Sequence, residues 1–210
     1  MTRSLLSLCA LLVCISTSFA HPVSFTDGKV LQAWIQPKRA DIKLNYTLKN
    51  NLAVGVSATS IERQKKRYNF TYAQGNVLLK RWNMEQAQAN LYTSLGVGGR
   101  SGDAGPSIVG YAGVQADYET RRVYTLFAAD TLRSKELAGF TRFKYRFGLS
   151  PYLAGYDSVQ TWLVTQVDHM PTMDDEWMIT PLIRLFYKNY LFEAGSSTEG
   201  QVFIQGMIHF

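Results

Sequence analysis

Gly139-Phe140-Thr141-Arg142-Phe143-Lys144-Tyr145-Arg146-Phe147-Gly148-Leu149 decides the fold class. Thr141, Phe143, Tyr145, Phe147 and Leu149 share one parity, and Arg142, Lys144 and Arg146 share the other. A helix would mix the two sets around its circumference. Only a strand, whose successive side chains point to opposite faces, keeps them apart.

The same period extends outward in both directions. Ala40, Ile42, Leu44, Tyr46 and Leu48 oppose Asp41, Lys43, Asn45 and Thr47. Ile179, Pro181, Ile183, Leu185 and Tyr187 oppose Thr180, Arg184 and Phe186. Twelve such runs are expected, at 29–36, 40–49, 52–62, 74–83, 87–99, 107–119, 122–133, 138–149, 158–170, 177–187, 190–197 and 201–210. A soluble β-sandwich also alternates, but these runs are long for sandwich strands, and the apolar parity carries aromatics near the run ends. That is the pattern of a barrel with a lipid-facing exterior and a polar interior. Closure leaves no unpaired edge for hydrocarbon to meet. The expected architecture is an all-β, antiparallel transmembrane β-barrel over 29–210, preceded by a short segment 21–28. Short turns and long loops should alternate between its two ends. Pro37-Arg39 and Ser150–Asp157 depart from that alternation, so ten strands is the fallback if one hairpin is misread.

Composition narrows the classes. The chain has 210 residues, 46% hydrophobic and 13% aromatic, which excludes disorder. No run of about eighteen apolar residues follows the N-terminus, which excludes a helical membrane protein. Met1–Ala20 reads as a cleaved signal peptide: Arg3 is the basic start, Leu5–Ile15 the apolar stretch, and Ser18-Phe19-Ala20 the cleavage site. Export is the expected outcome. Both cysteines, Cys9 and Cys14, lie within that segment, so neither a disulfide scaffold nor a Cys-ligated metal is expected in the mature chain. Without Arg3 the net charge of +6 falls to +5, spread along the chain. Nucleic acid is a poor partner for such a chain, and phosphate-bearing lipid a better one.

The chain closes with Val202-Phe203-Ile204-Gln205-Gly206-Met207-Ile208-His209-Phe210. A terminal Phe210 with apolar Ile208 two residues before it, together with Met1–Ala20 and the alternating runs, resembles Gram-negative outer-membrane β-barrel proteins. The resemblance implies the outer membrane as location and contact with its lipid and lipopolysaccharide. It also implies a monomer, with Ile208 and Phe210 read by the barrel-assembly machinery.

Four groups of residues are candidates for function. The predicted lumen carries Asp41, Asp117, Glu119, Asp130, Asp168 and Glu193 against Lys43, Lys80, Arg142, Lys144, Arg146 and Arg184, six of each sign. In a hairpin turning near Glu136, Asp130 should lie opposite Arg142, with Asp168 at similar depth on the next strand. A small passive pore, or a structural membrane protein with an ion-paired lumen, is the expected function. Secondly, His169, Met170 and Met173 combine imidazole with thioethers, a donor set suited to copper. His21 would add a chelating N-terminus after cleavage, so a surface copper-binding protein is one alternative. Thirdly, a lipid-modifying enzyme is the other alternative, but no serine-centred motif accompanies His169 or His209, and no catalytic residues are assigned. Lastly, Arg63-Gln64-Lys65-Lys66-Arg67 is expected in a long extracellular loop, where Lys65, Lys66 and Arg67 would face lipopolysaccharide phosphates, with Tyr68, Phe70 and Tyr72 as anchors.

Overall fold

The computed structural model describes residues 21–210 apart from Ala104, Glu136, Tyr156 and Asp174. The expected signal peptide, Met1–Ala20, and the apex of the hairpin at Glu136 lie outside the described residues. Twelve strands follow one another: β1 Lys29–Gln36, β2 Arg39–Lys49, β3 Leu52–Arg63, β4 Lys66–Asn83, β5 Ala87–Gly102 and β6 Ser107–Thr120, then β7 Val123–Ser134, β8 Leu137–Leu149, β9 Gln160–Met170, β10 Asp175–Tyr187, β11 Tyr190–Ser196 and β12 Val202–His209. Each pairs antiparallel with its sequence neighbour, and β1 pairs with β12 to close the barrel. The twelve-strand expectation holds, and the ten-strand fallback is not needed.

Closure turns the period of two into an inside and an outside. Ile42, Leu44, Val54, Val56, Leu95, Phe143, Tyr145, Phe147, Leu163 and Ile183 are all exposed on the outer face. Arg142, Arg146, Asp168, Arg184 and Glu193 are buried within. Water-soluble proteins rarely expose a continuous apolar surface of this extent. In hydrocarbon the same surface is at ease, because every strand has a hydrogen-bonded neighbour on each side. Tyr46, Trp82, Tyr118, Tyr187, Tyr190 and Phe210 gather as exposed aromatics at the rim holding Lys29 and Phe210, here called the terminal rim.

Three expectations about the wall need correction. The long loop expected around Arg63–Gly75 is a two-residue hairpin, because β4 begins at Lys66 and runs for 18 residues. That is about 60 Å at roughly 3.3 Å per residue, where about 9–11 residues suffice to cross a bilayer. Its first half inverts the membrane pattern: Tyr68, Phe70 and Tyr72 point inward, whereas Arg67, Asn69 and Thr71 point outward. The aromatics are therefore lumen filling and not surface anchors. Secondly, long and short links do not alternate. The longest link, 150–159, lies on the terminal rim, while 37–38 and 64–65 on the opposite rim are tight turns. Thirdly, a bulge separates Leu78, paired with Tyr92, from Lys80, paired with Leu91. The extra residue reverses the facing beyond it. Lys80 is exposed on the outer wall, and Arg81 takes the inward position, its Nε donating to Asn90 Oδ1 at 2.8 Å.

Candidate functional site

The lumen is built from polar side chains that strand order brings together from distant parts of the chain. Arg39 opens β2 and donates through Nε and Nη2 to both oxygens of Asp41, at 2.8 and 3.1 Å. Its Nη1 reaches across to Asp130 of β7 at 3.1 Å, and Thr59 of β3 donates to Asp41 at 2.7 Å. Arg142 of β8 donates to Asp168 of β9 at 2.6 Å and to Gln36 of β1 at 3.1 Å. Arg146, two same-face positions further along and past Lys144, donates to Gln166 at 2.6 Å, to Glu193 of β11 at 3.0 Å and to Gln205 of β12 at 3.3 Å. Arg184 of β10 donates to the same Glu193 at 2.5 Å, and its guanidinium lies 4.4 Å from the Tyr124 ring. Gln166 also donates to Asp168. Charge-assisted, multidentate contacts of this kind are the strong ones in a dry interior.

An amide cluster lines the neighbouring wall. Gln74 and Asn76 donate to Asn45 Oδ1 at 3.4 and 3.2 Å, while Ser57 donates to Gln74 and Ser94 to Asn76. Between this wall and the arginines lies a cavity of about 90 Å³, lined among others by Pro22, Trp34, Lys43, Tyr111, Asp130 and Lys144. Lys43 Nζ sits 5.2 Å from the Trp34 ring and 5.4 Å from the Tyr111 ring, the distances of cation–π contacts.

Both ends of the lumen are filled. At the rim opposite the chain ends, Tyr68, Phe70, Tyr72, Tyr111, Leu132, Phe140 and Met173 pack into one cluster. At the terminal rim the segment His21–Ser24 crosses the mouth. Val23 is 1% exposed among Ala53, Leu78 and Tyr92. His21 stacks on Tyr92 and brings Nδ1 within 3.4 Å of Asp117 on β6. Ser24 pairs with Thr47 and His209 on the other side of the mouth. The first residues of the short segment expected before the barrel thus lie across its terminal mouth.

Of the twelve charges predicted for the lumen, eleven, among them Asp130, Arg142, Lys144, Arg146, Asp168 and Arg184, face inward and Lys80 does not, and Asp130 pairs in register with Arg142. Arg39, Gln36 and Arg100 are lumen residues that the sequence left unassigned. Arg39 follows Pro37-Lys38 and looks like part of a turn, although its parity with Asp41 and Lys43 carries the signal.

The copper set is not brought together. His169 faces outward, stacked on Trp177 at 4.4 Å and on Phe143 at 6.3 Å. Met170 and Met173 pack into the inner aromatic cluster, so the barrel wall stands between imidazole and thioethers. Alternation along a strand forbids neighbours 169 and 170 from converging on one ion. His21 lies at the opposite rim. Among the described residues, no group of three or more His, Cys, Asp or Glu could hold a metal. The side chains of Asp175 and Glu176 lie outside the described residues. Lys65, Lys66 and Arg67 are exposed at the hairpin between β3 and β4, with Arg67 near Glu62 at 3.6 Å. Ile208 and Phe210 are exposed on the outer face of the closing strand and just beyond it.

No protein-family model matches the chain, and no curated protein matches it. Among solved structures it is similar to KdgM porin in complex with disordered oligogalacturonate, at 12% identity and a TM-score of 0.50, over 87% of this chain and 98% of that one. KdgM porin alone aligns over the same shares at 12% identity and a TM-score of 0.49. The translocator domain of autotransporter NalP from Neisseria meningitidis aligns at 9% identity and 0.38, over 87% and 84% of the two chains. The likeness is one of fold: the chain has the closed antiparallel barrel of KdgM porin, the architecture of outer-membrane barrels.

Proposed function

We propose that the chain is an integral outer-membrane barrel of porin-like architecture whose lumen is closed at rest. The observation that carries this reading is the segment His21–Ser24 lying across the mouth of an ion-paired lumen inside an apolar outer wall. KdgM, whose fold it shares, is by name a porin. The segment is held by the packing of Val23, by His21 against Tyr92 and Asp117 and by Ser24 against Thr47 and His209, local contacts that a mouth can break and remake. In this reading the barrel inserts as a monomer, and Lys65, Lys66 and Arg67 meet lipopolysaccharide phosphates at the rim opposite the termini.

Single-channel recording of the refolded protein in a planar bilayer tests it. The wild type should be silent or open only briefly. Val23→Asp, which places a carboxylate among Ala53, Leu78 and Tyr92, should expel the segment and raise the open time at least about tenfold. A stable open level in the wild type would overturn the closed state. Silence in both proteins would overturn gating by this segment, because the aromatic cluster at the opposite rim would then keep the lumen shut without it.

A further inference from the structure

Charge is uneven along the lumen. Asp117 sits at the terminal rim beside His21, two residues from Glu119, and Lys80 is outside the barrel. Arg100, towards the end of β5, donates to Gly105 O and Ser134 Oγ near the opposite rim. Between the two rims Arg39, Lys43, Arg142, Lys144, Arg146 and Arg184 face Asp41, Asp130, Asp168 and Glu193, so six cations meet four carboxylates. The arginines engage all four: Arg39 holds Asp41 and Asp130, Arg142 holds Asp168, and Arg146 with Arg184 holds Glu193. Lys43 and Lys144 are left over. Neither has a carboxylate within ion-pair distance among the described residues, and both line the cavity. Asp130 also lines it, already held by Arg39.

Trp34 supplies an independent observation. It is 7% exposed, lines the same cavity, and its indole Nε1 has no hydrogen-bond partner among the described residues. A buried N–H without an acceptor is rare and costly, and an acceptor in the cavity that Trp34 lines would relieve it. The cavity has space for about six water-sized groups at roughly 15 Å³ each.

We propose that this cavity is a binding site for a compact divalent oxyanion of the sulfate or phosphate class, held between the Lys43 and Lys144 ammonium groups and accepting a hydrogen bond from Trp34 Nε1. Two lysines without a direct ion pair, beside Arg142 and Arg146 in the same lining, and an orphaned donor match a dianion with several acceptor oxygens. A neutral or cationic solute would leave both ammonium groups unpaired, and a monocarboxylate would leave one. Pro22 forms part of the lining, so access runs from the terminal rim past His21–Ser24. Binding is independent of whether the barrel conducts.

The test is calorimetric titration of the refolded, detergent-solubilised chain with sodium sulfate and with sodium phosphate, at constant ionic strength set with chloride. Heat-modifiable migration on gels verifies that each variant is folded. The wild type should bind one dianion per chain. Lys43→Gln and Lys144→Gln should each weaken binding at least about tenfold, and Trp34→Phe several-fold, because the ring stays while the donor is lost. Lys49→Gln, exposed at the end of β2, should change nothing. No saturable binding in the wild type, or wild-type affinity in both lysine variants, would overturn the site and leave a cavity that holds water alone. A barrel that binds sulfate yet conducts steadily sinks the closed state and keeps the site. A silent barrel that fails to bind sulfate or phosphate sinks the site and keeps the closed state.

Discussion

Glu193 accepts from Arg146 and from Arg184 while completely buried, so two guanidinium groups depend on one carboxylate. Glu193→Ala strands both cations in a dry interior and should destabilise the barrel by about 3–5 kcal/mol. Lys144→Gln breaks no ion pair and relieves an ammonium already unpaired in the interior, so it should leave stability unchanged or raise it. Urea unfolding from lipid vesicles measures both, and equal losses would contradict the difference in pairing. On the other side of the same strand Phe143 lies midway along β8 with its ring outward. Phe143→Arg should cost about 2–4 kcal/mol in the same assay, because the guanidinium would enter hydrocarbon near its midplane. The alternation that separates residue 143 from residue 144 was legible in the sequence, since aromatic and cationic side chains cannot exchange faces without a penalty of this size.

Elements departed from expectation wherever the environment changed along a strand. In the first half of β4 Tyr68, Phe70 and Tyr72 fill the interior while Arg67, Asn69 and Thr71 face outward, the reverse of a lipid-facing strand. A reading that seeks apolar residues outside finds no membrane strand there, and the segment looks like a loop. The turn that replaces the loop has no glycine to announce it. Gln64 and Lys65 both adopt positive φ, 52° and 62°, as a two-residue hairpin requires. Each such residue costs roughly 1–2 kcal/mol when it is not glycine. Gln64→Asn with Lys65→Gly should therefore raise stability by about 1 kcal/mol, seen as a higher urea midpoint with an unchanged slope. The bulge at Leu78/Lys80 was equally silent, because one additional residue leaves no mark on composition yet exchanges the roles of Lys80 and Arg81. Curvature was hidden in the same way. At Gly98 a Cβ would lie 2.0 Å from Thr71 O and 2.4 Å from Tyr72 Cα, so β4 and β5 approach only because that side chain is missing. Gly98→Ala should cost about 1–3 kcal/mol in the same unfolding assay.

At the scale of the whole molecule, the wall is long at β4–β6 and short where it closes. β11, β12 and β1 have 7, 8 and 8 residues, fewer than the roughly 9–11 of an ordinary membrane strand. The barrel therefore closes between two short strands, across a seam of six backbone register pairs. Phe210 lies at the end of that seam. Its carbonyl accepts from the Lys29 amide at 2.7 Å, and its own amide donates to the Lys29 carbonyl at 3.0 Å. These bonds belong to the backbone and survive truncation of the side chain. The ring itself is 57% exposed on the outer wall, with Lys29 Nζ 5.9 Å from its centroid. Little folded-state packing is lost when it is removed, so Phe210→Ala should change the stability of the closed barrel by less than about 1 kcal/mol. Before closure β12 is an unpaired edge, and an exposed terminal aromatic is then what a receptor or the bilayer interface can grip. Insertion of Phe210→Ala into vesicles that carry purified assembly machinery should slow several-fold, while the urea midpoint of the molecules that do insert barely moves. An unchanged insertion rate would show that the residue acts only as lipid-facing filler, and a large fall in the midpoint would show that it holds the seam itself.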